Sequence, residues 1–410
     1  MKFRPYQEDI IRKGTEVLLQ HKFLYLAMEV RTGKTLTSLG ISEKLRCKNV
    51  LFVTKKKAIT SIQSDYKMLS PSYNIFVINY ESLHKVEPPH DWDMVILDEA
   101  HSMGAFPKPS KRARQVKTIL SKADCYVCLL SGTPTPESYS QMYHQVFGIP
   151  SNPFNEFVNF YKFSKKHVDV RERKINSMYI RDYSRGRQSI LHAMQPYMIS
   201  FTQKNAGFKV ETTERVLKVR MKDATYYITK KLQKDLVVKG SSNTILADTP
   251  AKLMQKLHQL YSGTIIFEDG TSSIIDLTKA EFIKGTFKDK KIGIFYKFKA
   301  ELKALKQIYG DELTTELSVF EDTDKSIALQ IVSGREGISL RQAEALVYYN
   351  IDFSATSYWQ SRDRMTTKDR LQSDVYWIFA DRGIETKIYD MVIKKKDYTL
   401  RHFKKDLLSL

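Results

Sequence analysis

The chain is poor in cysteine and tryptophan and has no long apolar run. Three cysteines in 410 residues cannot build a disulfide framework. The C-x-x-C made by Cys125 and Cys128 has no second pair to complete a zinc site. It sits in the run Cys125-Tyr126-Val127-Cys128-Leu129-Leu130, which predicts a buried strand with small apolar thiols. A reducing cytoplasm (the host's, for a viral protein) fits. No stretch of about 18 or more apolar residues occurs, so no membrane partner is expected. The start, MKFRPYQEDIIRKG, lacks the apolar core of a secretory signal. Low-complexity tracts and internal repeats are missing as well. Acid is in deficit: 46 Asp and Glu face 66 Lys and Arg, a formal charge of +20 and a pI near 9.5. Such an excess points to a polyanionic partner, although dispersed surface lysines would give the same total.

At roughly 100–200 residues per domain, this length predicts two or three domains. Short β-branched runs alternate with helical patterns through the first 150 residues. Strands are expected at Phe23–Ala27, Val50–Val53, Asn74–Ile78, Met94–Leu97 and Tyr126–Leu130, with helices at Leu36–Leu45, Ala58–Met68 and Ala113–Leu120. That alternation predicts an α/β fold with a doubly wound parallel sheet. A second such pattern has strands at Lys291–Tyr296, Ala328–Val332, Ala345–Asn350 and Asp374–Phe379. Helices are expected there at Phe298–Tyr309, Ser357–Arg364 and from about Ile384. The expected division is a nucleotide-binding lobe over 1–150, a basic and aromatic helical insertion with linker over 151–215, and a second lobe over 216–410. A helical insertion is expected at about 221–262.

Chemistry begins at Met28–Thr35, MEVRTGKT, straight after an apolar run. Gly33 lets the backbone approach phosphate oxygens, Lys34 reaches β- and γ-phosphates, and the Thr35 hydroxyl can ligate Mg²⁺. A helix starting here adds its positive dipole end. Met28 stands where the full phosphate-loop pattern wants glycine. Some 65 residues later, the apolar Met94–Leu97 leads into Asp98-Glu99-Ala100-His101. Acidic groups at a buried strand end need a cation. Asp98 would hold the metal and Glu99 would polarise the attacking water. Ser131-Gly132-Thr133-Pro134 follows another apolar strand. The hydroxyls of Ser131 and Thr133 can bond to the acidic motif.

Taken in order, Phe3-Arg4-Pro5-Tyr6-Gln7, Gly-Lys-Thr, DEAH and SGTP resemble the superfamily 2 helicases and translocases. The nearest branch is the Snf-type (Swi/Snf-related) one, in a compact phage-like form. The second half agrees: Gly293–Phe298 resembles motif IV, Ile331–Leu340 motif V, and Tyr358–Arg364 the start of motif VI. The resemblance implies two RecA-like lobes with ATP and Mg²⁺ between them and DNA across both. Gln7, helped by Arg4, would read adenine. Gly33, Lys34 and Thr35 would hold phosphates, with Thr35 and Asp98 on the metal. Ser131 and Thr133 would couple hydrolysis to strand contacts. Gly337 and Gln360 would lie beside the nucleotide, and Arg364 would face the γ-phosphate. Thr54 with Lys55, and Asn79 with Tyr80 and Glu81, match strand-contacting motifs, and Ser333 joins them. Arg31 and Arg335 replace usual glycines. Thr367 stands where the family has its second motif VI arginine, which leaves Arg335 or Arg362 as auxiliary cation.

Residues 151–200 hold nine basic and four acidic positions. Phe154, Phe157, Phe160, Tyr161 and Phe163 are expected to pack on the first lobe. Lys165, Lys166, Arg171, Arg173 and Lys174, with Arg181, Arg185 and Arg187, are expected to meet a phosphate backbone. The favoured reading is a monomeric ATP-driven DNA helicase or branch-remodelling translocase of replication or recombination. A nucleotide-gated DNA clamp with weak turnover and an RNA helicase are the alternatives.

Overall fold

In the computed structural model the described residues are 2–86, 91–175, 178–207, 211–240, 243–331, 340–353, 361 and 372–396. The chain divides into two compact units, with the boundary after Gly207. Each is a RecA-like lobe built on a six-stranded parallel sheet.

The first sheet contains β1 (Phe23–Met28), β2 (Asn49–Thr54), β3 (Asn74–Asn79), β4 (Met94–Leu97) and β5 (Tyr126–Leu130). The next two strands, β6 (Arg171–Ile175) and β7 (Met178–Asp182), form a separate antiparallel hairpin. Strand β8 (Met198–Phe201) returns to the sheet, whose order is β3-β2-β4-β5-β1-β8. Every residue of β1 and β4 is buried. This follows from helices covering both faces, which leaves continuous apolar runs rather than alternation. The covering helices are α1 (Pro5–His21), α2 (Lys34–Lys44), α3 (Ile59–Leu69) and α4 (Lys111–Leu120), followed by α5 (Met142–Gln145), α6 (Phe160–His167) and α7 (Ser189–Met194). Cys128 is fully buried in β5 and Cys125 lies buried just before it. Burial pushes the Cys125 thiol up to about 12, so the pair packs as apolar matter, as expected.

The second sheet has the order β15-β16-β14-β17-β18-β9. Its strands are β9 (Glu211–Val219), β14 (Ile292–Tyr296), β15 (Leu313–Thr314), β16 (Ser326–Gln330), β17 (Ala345–Tyr348) and β18 (Gln372–Ala380). Two small hairpins, β10 (Val237–Lys239) with β11 (Thr244–Leu246) and β12 (Thr264–Ile266) with β13 (Ser272–Ile274), lie outside it. Helices α8 (Asp223–Asp235), α9 (Pro250–Tyr261), α10 (Thr278–Thr286), α11 (Lys299–Tyr309) and α12 (Leu317–Asp322) precede the last described helix, Glu385–Lys396. Lys279 and Glu385 form a fully buried ion pair at 2.8 Å inside this unit.

Three expectations change. The 151–215 insertion is not a helical module: α6 is its one long helix, the β6–β7 hairpin follows, and the segment ends by supplying β8 to the first sheet. Of its aromatics, Phe154, Phe160 and Phe163 are buried in the core of the lobe and Phe157 packs against it, while Tyr161 is exposed. The 221–262 region is two helices separated by the β10–β11 hairpin: the first ends at Asp235 with Leu236 at φ +58°, and the β-branched Val237-Val238 opens the hairpin. The second sheet begins at Glu211, because β9 pairs along β18 from Gln372 to Ala380. The expected helix at Ser357–Arg364 lies outside the described residues, Ser361 excepted.

Candidate nucleotide site

The strand order of the first sheet puts the motifs side by side. Moving across neighbouring carboxyl ends, one meets Thr54 at the end of β2, Asp98 and Glu99 after β4, Ser131 and Gly132 after β5, and the Glu29–Gly33 turn after β1. Ligands of parallel α/β sheets bind at this edge.

The turn after β1 enters α2 through Gly33, whose φ of +84° is left-handed and suits glycine. Gln7 packs against it so closely that a Cβ there would lie 2.5 Å from its amide nitrogen. The turn is held from outside by its carbonyls. Gln203 donates through Nε2 to the Val30 carbonyl at 3.0 Å. Tyr6 donates to the Thr32 carbonyl at 3.2 Å. The Gly33 carbonyl accepts from Thr37 Oγ1 at 2.9 Å and from Gln7 Nε2 at 3.4 Å. The Glu29 carbonyl accepts from Thr32 Oγ1 at 2.6 Å and from Lys34 Nζ at 3.4 Å. The Glu29 carboxylate is itself fixed by the Gln203 backbone N–H at 2.7 Å. The Thr32 N–H is taken up by the Glu29 carbonyl at 3.4 Å, so the N–H groups left for an anion are those that open α2. Arg31, at φ +62°, adopts a conformation that glycine would take more easily.

Gln7 was expected to read adenine. Both of its polar ends are engaged inside the protein, because Oε1 accepts from the Arg4 backbone N–H at 3.1 Å. The Arg4 guanidinium bonds to the Tyr6 hydroxyl at 2.9 Å.

Asp98 accepts from the Thr54 hydroxyl at 2.8 Å through Oδ2, and its backbone carbonyl accepts from the Tyr80 hydroxyl at 2.6 Å. Burial, and then the neighbouring Glu99 charge, push its carboxyl up to about 6; the Thr54 hydrogen bond and the Lys34 charge pull the other way. Glu99 takes φ +50°, an uncommon conformation for a side-chain-bearing residue that recurs at functional sites. Its carboxylate reaches His101 Nδ1 at 3.3 Å. The same nitrogen lies 3.0 Å from Ser131 Oγ, which also accepts from the Thr133 backbone N–H at 3.1 Å. Ser131 is thus joined to the acidic motif through His101. The Thr133 hydroxyl is buried and unpartnered among the described residues.

These donors fit a metal–nucleotide. Two adjacent carboxylates hold one proton more readily than usual, and a divalent cation would compensate their charge. Thr35 stands in the first turn of α2, beside Lys34. Among the described residues no cluster of three His, Cys, Asp or Glu could hold a metal ion.

Two expected strand contacts need correction. Thr54 and Tyr80 are fully buried and bond to Asp98, so they brace the acidic strand end and are not available to a nucleic acid. Asn79 is half-buried and bonds to Glu81 at 3.4 Å. Lys55 is half-buried. Lys165, Lys166 and Arg171 are exposed, and Arg173 and Lys174 lie on β6. The basic segment is not wholly short of counter-charge: Arg181 pairs with Glu172 at 2.7 Å, Arg187 with Asp169 at 2.7 Å and Lys166 with Glu156 at 3.0 Å. Ser333, Arg335, Gly337, Gln360, Arg362 and Arg364 lie outside the described residues.

The SNF2-related domain matches residues 26–262, more than half of the chain. The chain belongs to the SNF2-related family. That places it among ATP-dependent DNA translocases and remodellers in the general sense. A solved structure, the Sulfolobus solfataricus SWI2/SNF2 ATPase core in complex with dsDNA, is 13% identical over 99% of this chain and 94% of that one, with a TM-score of 0.43. No curated protein matches. The SNF2-related match runs from β1 through the phosphate loop, DEAH and SGTP segments and on to the end of α9.

Nothing in the sequence pointed to Gln203 as a partner of this site, and Glu29 and His101, although inside the quoted motifs, carried no expected role. Gln203 is more than 170 positions from the loop it holds, and its neighbourhood carries no motif. In the second lobe, a buried chain of the same kind joins His258 of α9 to Asn350 and Asn350 to Glu301, the latter at 2.6 Å. It lies at the carboxyl end of β17, beside the segment that resembles motif IV.

Proposed function

We propose that this protein is an ATP-driven motor that steps along or remodels branched or duplex DNA in replication or recombination. The observation that carries the reading is the strand order, which sets the Lys34 turn after β1 and the Asp98–Glu99 pair after β4 on either side of β5 at one sheet edge, with Lys34 Nζ 3.5 Å from where a Cβ on Gly132 would stand. Bound Mg²⁺·ATP would supply the scissile phosphoanhydride and a Lewis-acidic centre on its phosphates. Lys34 and the first N–H groups of α2 orient the phosphates. Asp98, held by Thr54, orients the metal side of the site. Glu99 accepts a proton from the attacking water, and its contact with His101 aims the carboxylate. His101 and Ser131 pass the state of that carboxylate to the SGTP segment. Arg364 is assigned the cation that meets charge on the γ-phosphate.

The test is steady-state phosphate release on single-stranded, duplex, forked and four-way DNA, with RNA as competitor. A motor gives release that rises severalfold with DNA and most with its preferred shape. Nucleotide binding without release on any nucleic acid would make the protein a clamp. Stronger stimulation by RNA would make it an RNA helicase.

A further inference from the structure

The strut that carries the basic segment is built with some care. Val168 and Gly186 form an antiparallel bridge. Around it, Asp169 N–H donates to the Arg185 carbonyl at 2.9 Å and Arg187 N–H to the His167 carbonyl at 2.8 Å. Arg187 braces this cross-link from its side chain, reaching Asp169 at 2.7 Å and the Lys166 carbonyl at 3.2 Å. A Cβ on Gly186 would lie 2.6 Å from the Ser140 backbone nitrogen, so the bridge sits directly on the chain. Ser140 Oγ also donates to the Tyr183 carbonyl at 2.7 Å. The bridge is therefore fastened to the segment that follows the SGTP turn.

Against it opens a concavity of about 670 Å³ lined by Lys165, Val168, Asp169, Arg171, Arg185 and Arg187, among others. Its three remaining cations come from three different places: Lys165 from α6, Arg171 from β6, and Arg185 from the stretch before α7. Arg187 is committed to the cross-link. Convergent cations on a braced backbone differ from lysines scattered over a surface, because their mutual repulsion is already offset by folding.

We propose that this notch is a seat for the DNA sugar-phosphate backbone, contacting one or two phosphates without reading sequence. The inference rests on the DNA-motor reading and gives it a place on the first lobe. Through Gly186 and Ser140, a strand seated there is tied to the chain just beyond Ser131 and Thr133.

The experiment compares two full-length variants of equal charge change. Arg171→Ala/Arg185→Ala empties the notch. Lys162→Ala/Arg181→Ala removes two exposed cations of the same segment that do not line it. Anisotropy of labelled duplex DNA, titrated across salt, reads the affinity and its slope. The slope should shrink by about 0.9 for each DNA phosphate that is no longer neutralised, hence by about 1–2 in the notch variant and by less than half of that in the control. Phosphate release without DNA should be unchanged in both. Half-maximal stimulation of the notch variant should need severalfold more DNA at the same maximal rate. Equal losses in both variants would mean diffuse attraction only and would overturn the seat, as would an unchanged slope. Wild-type protein that hydrolyses ATP but ignores DNA would overturn the motor reading, whereas a DNA-stimulated wild type with an unaffected notch variant would overturn the seat alone.

Discussion

The phosphate turn has a single glycine, and hydrogen bonds from Gln203, Tyr6, Thr37 and Gln7 hold its carbonyls outward. Gln203 is the informative position, because its side chain touches only the outer side of the turn while its backbone holds Glu29. Gln203→Ala removes one hydrogen bond, worth about 1 kcal/mol, or roughly fivefold in affinity. The expected result is a several-fold rise in the dissociation constant of a fluorescent ATP analogue and in KM, with kcat and Tm nearly unchanged. Gln203→Glu should be worse, since an acceptor would then face the Val30 carbonyl. A fall in kcat at constant KM would show that the residue acts elsewhere. At this scale the placement of Lys34, Asp98, Glu99 and Ser131 beyond the ends of apolar strands was legible in the sequence, and their roles belong to the proposed function. Thr54 and Tyr80 were legible as motif members but misread, since a motif fixes residue type and spacing while burial decides what the hydroxyl meets.

Between elements, aromatic packing fixes how α5 and α6 lie on the first sheet. His144 of α5 stacks on Phe160 of α6 at 5.6 Å and bonds to the Ala105 carbonyl at 2.6 Å. Burial pushes its imidazole down to about 4, below the usual 6.5. The folded state therefore binds this proton less readily than the unfolded state. Its contribution is complete above pH about 6.5 and is lost as pH falls towards about 4, with a slope of up to about 1.4 kcal/mol per pH unit. Denaturant midpoints measured at pH 7, 6 and 5 should fall more steeply for wild type than for His144→Gln. Coincident slopes would assign the acid sensitivity to other groups. Core strands were readable because burial on both faces makes the apolar runs continuous; α2, α3, α4 and α11 were readable too, whereas α1, the longest described helix, was not expected. Strands β8 and β9 were not readable. Met198–Phe201 is half-buried throughout, and β9 carries polar residues along its length. As edge strands of their sheets, both owe their state to one neighbour that local composition does not show.

For the whole molecule, the proposed motor requires a cation at the γ-phosphate, and Thr367 stands where the resembled family has its second motif VI arginine. A guanidinium at the transferring phosphoryl group is worth about 10³–10⁵ in rate. Arg364→Ala should cut kcat for DNA-stimulated ATP hydrolysis by about that factor, with ATP-analogue affinity changed only a few-fold. Retained turnover would pass the role to Arg335 or Arg362. Steady-state phosphate release alongside equilibrium titration separates the two effects.

The sequence alone determined that there are two parallel α/β lobes, and that the Gly-Lys-Thr turn and the Asp98–Glu99 pair each follow a buried strand of the first. These follow from local periodicity and from residue types that chemistry demands at short spacing. Only the tertiary structure decided that β5 lies between β1 and β4, so that Ser131 meets His101; that Gln203 holds the phosphate turn; and that Arg171 and Arg185 share one notch. Each of these depends on strand order or chain return over tens to hundreds of residues, where the free energy lies in contacts that no local pattern encodes.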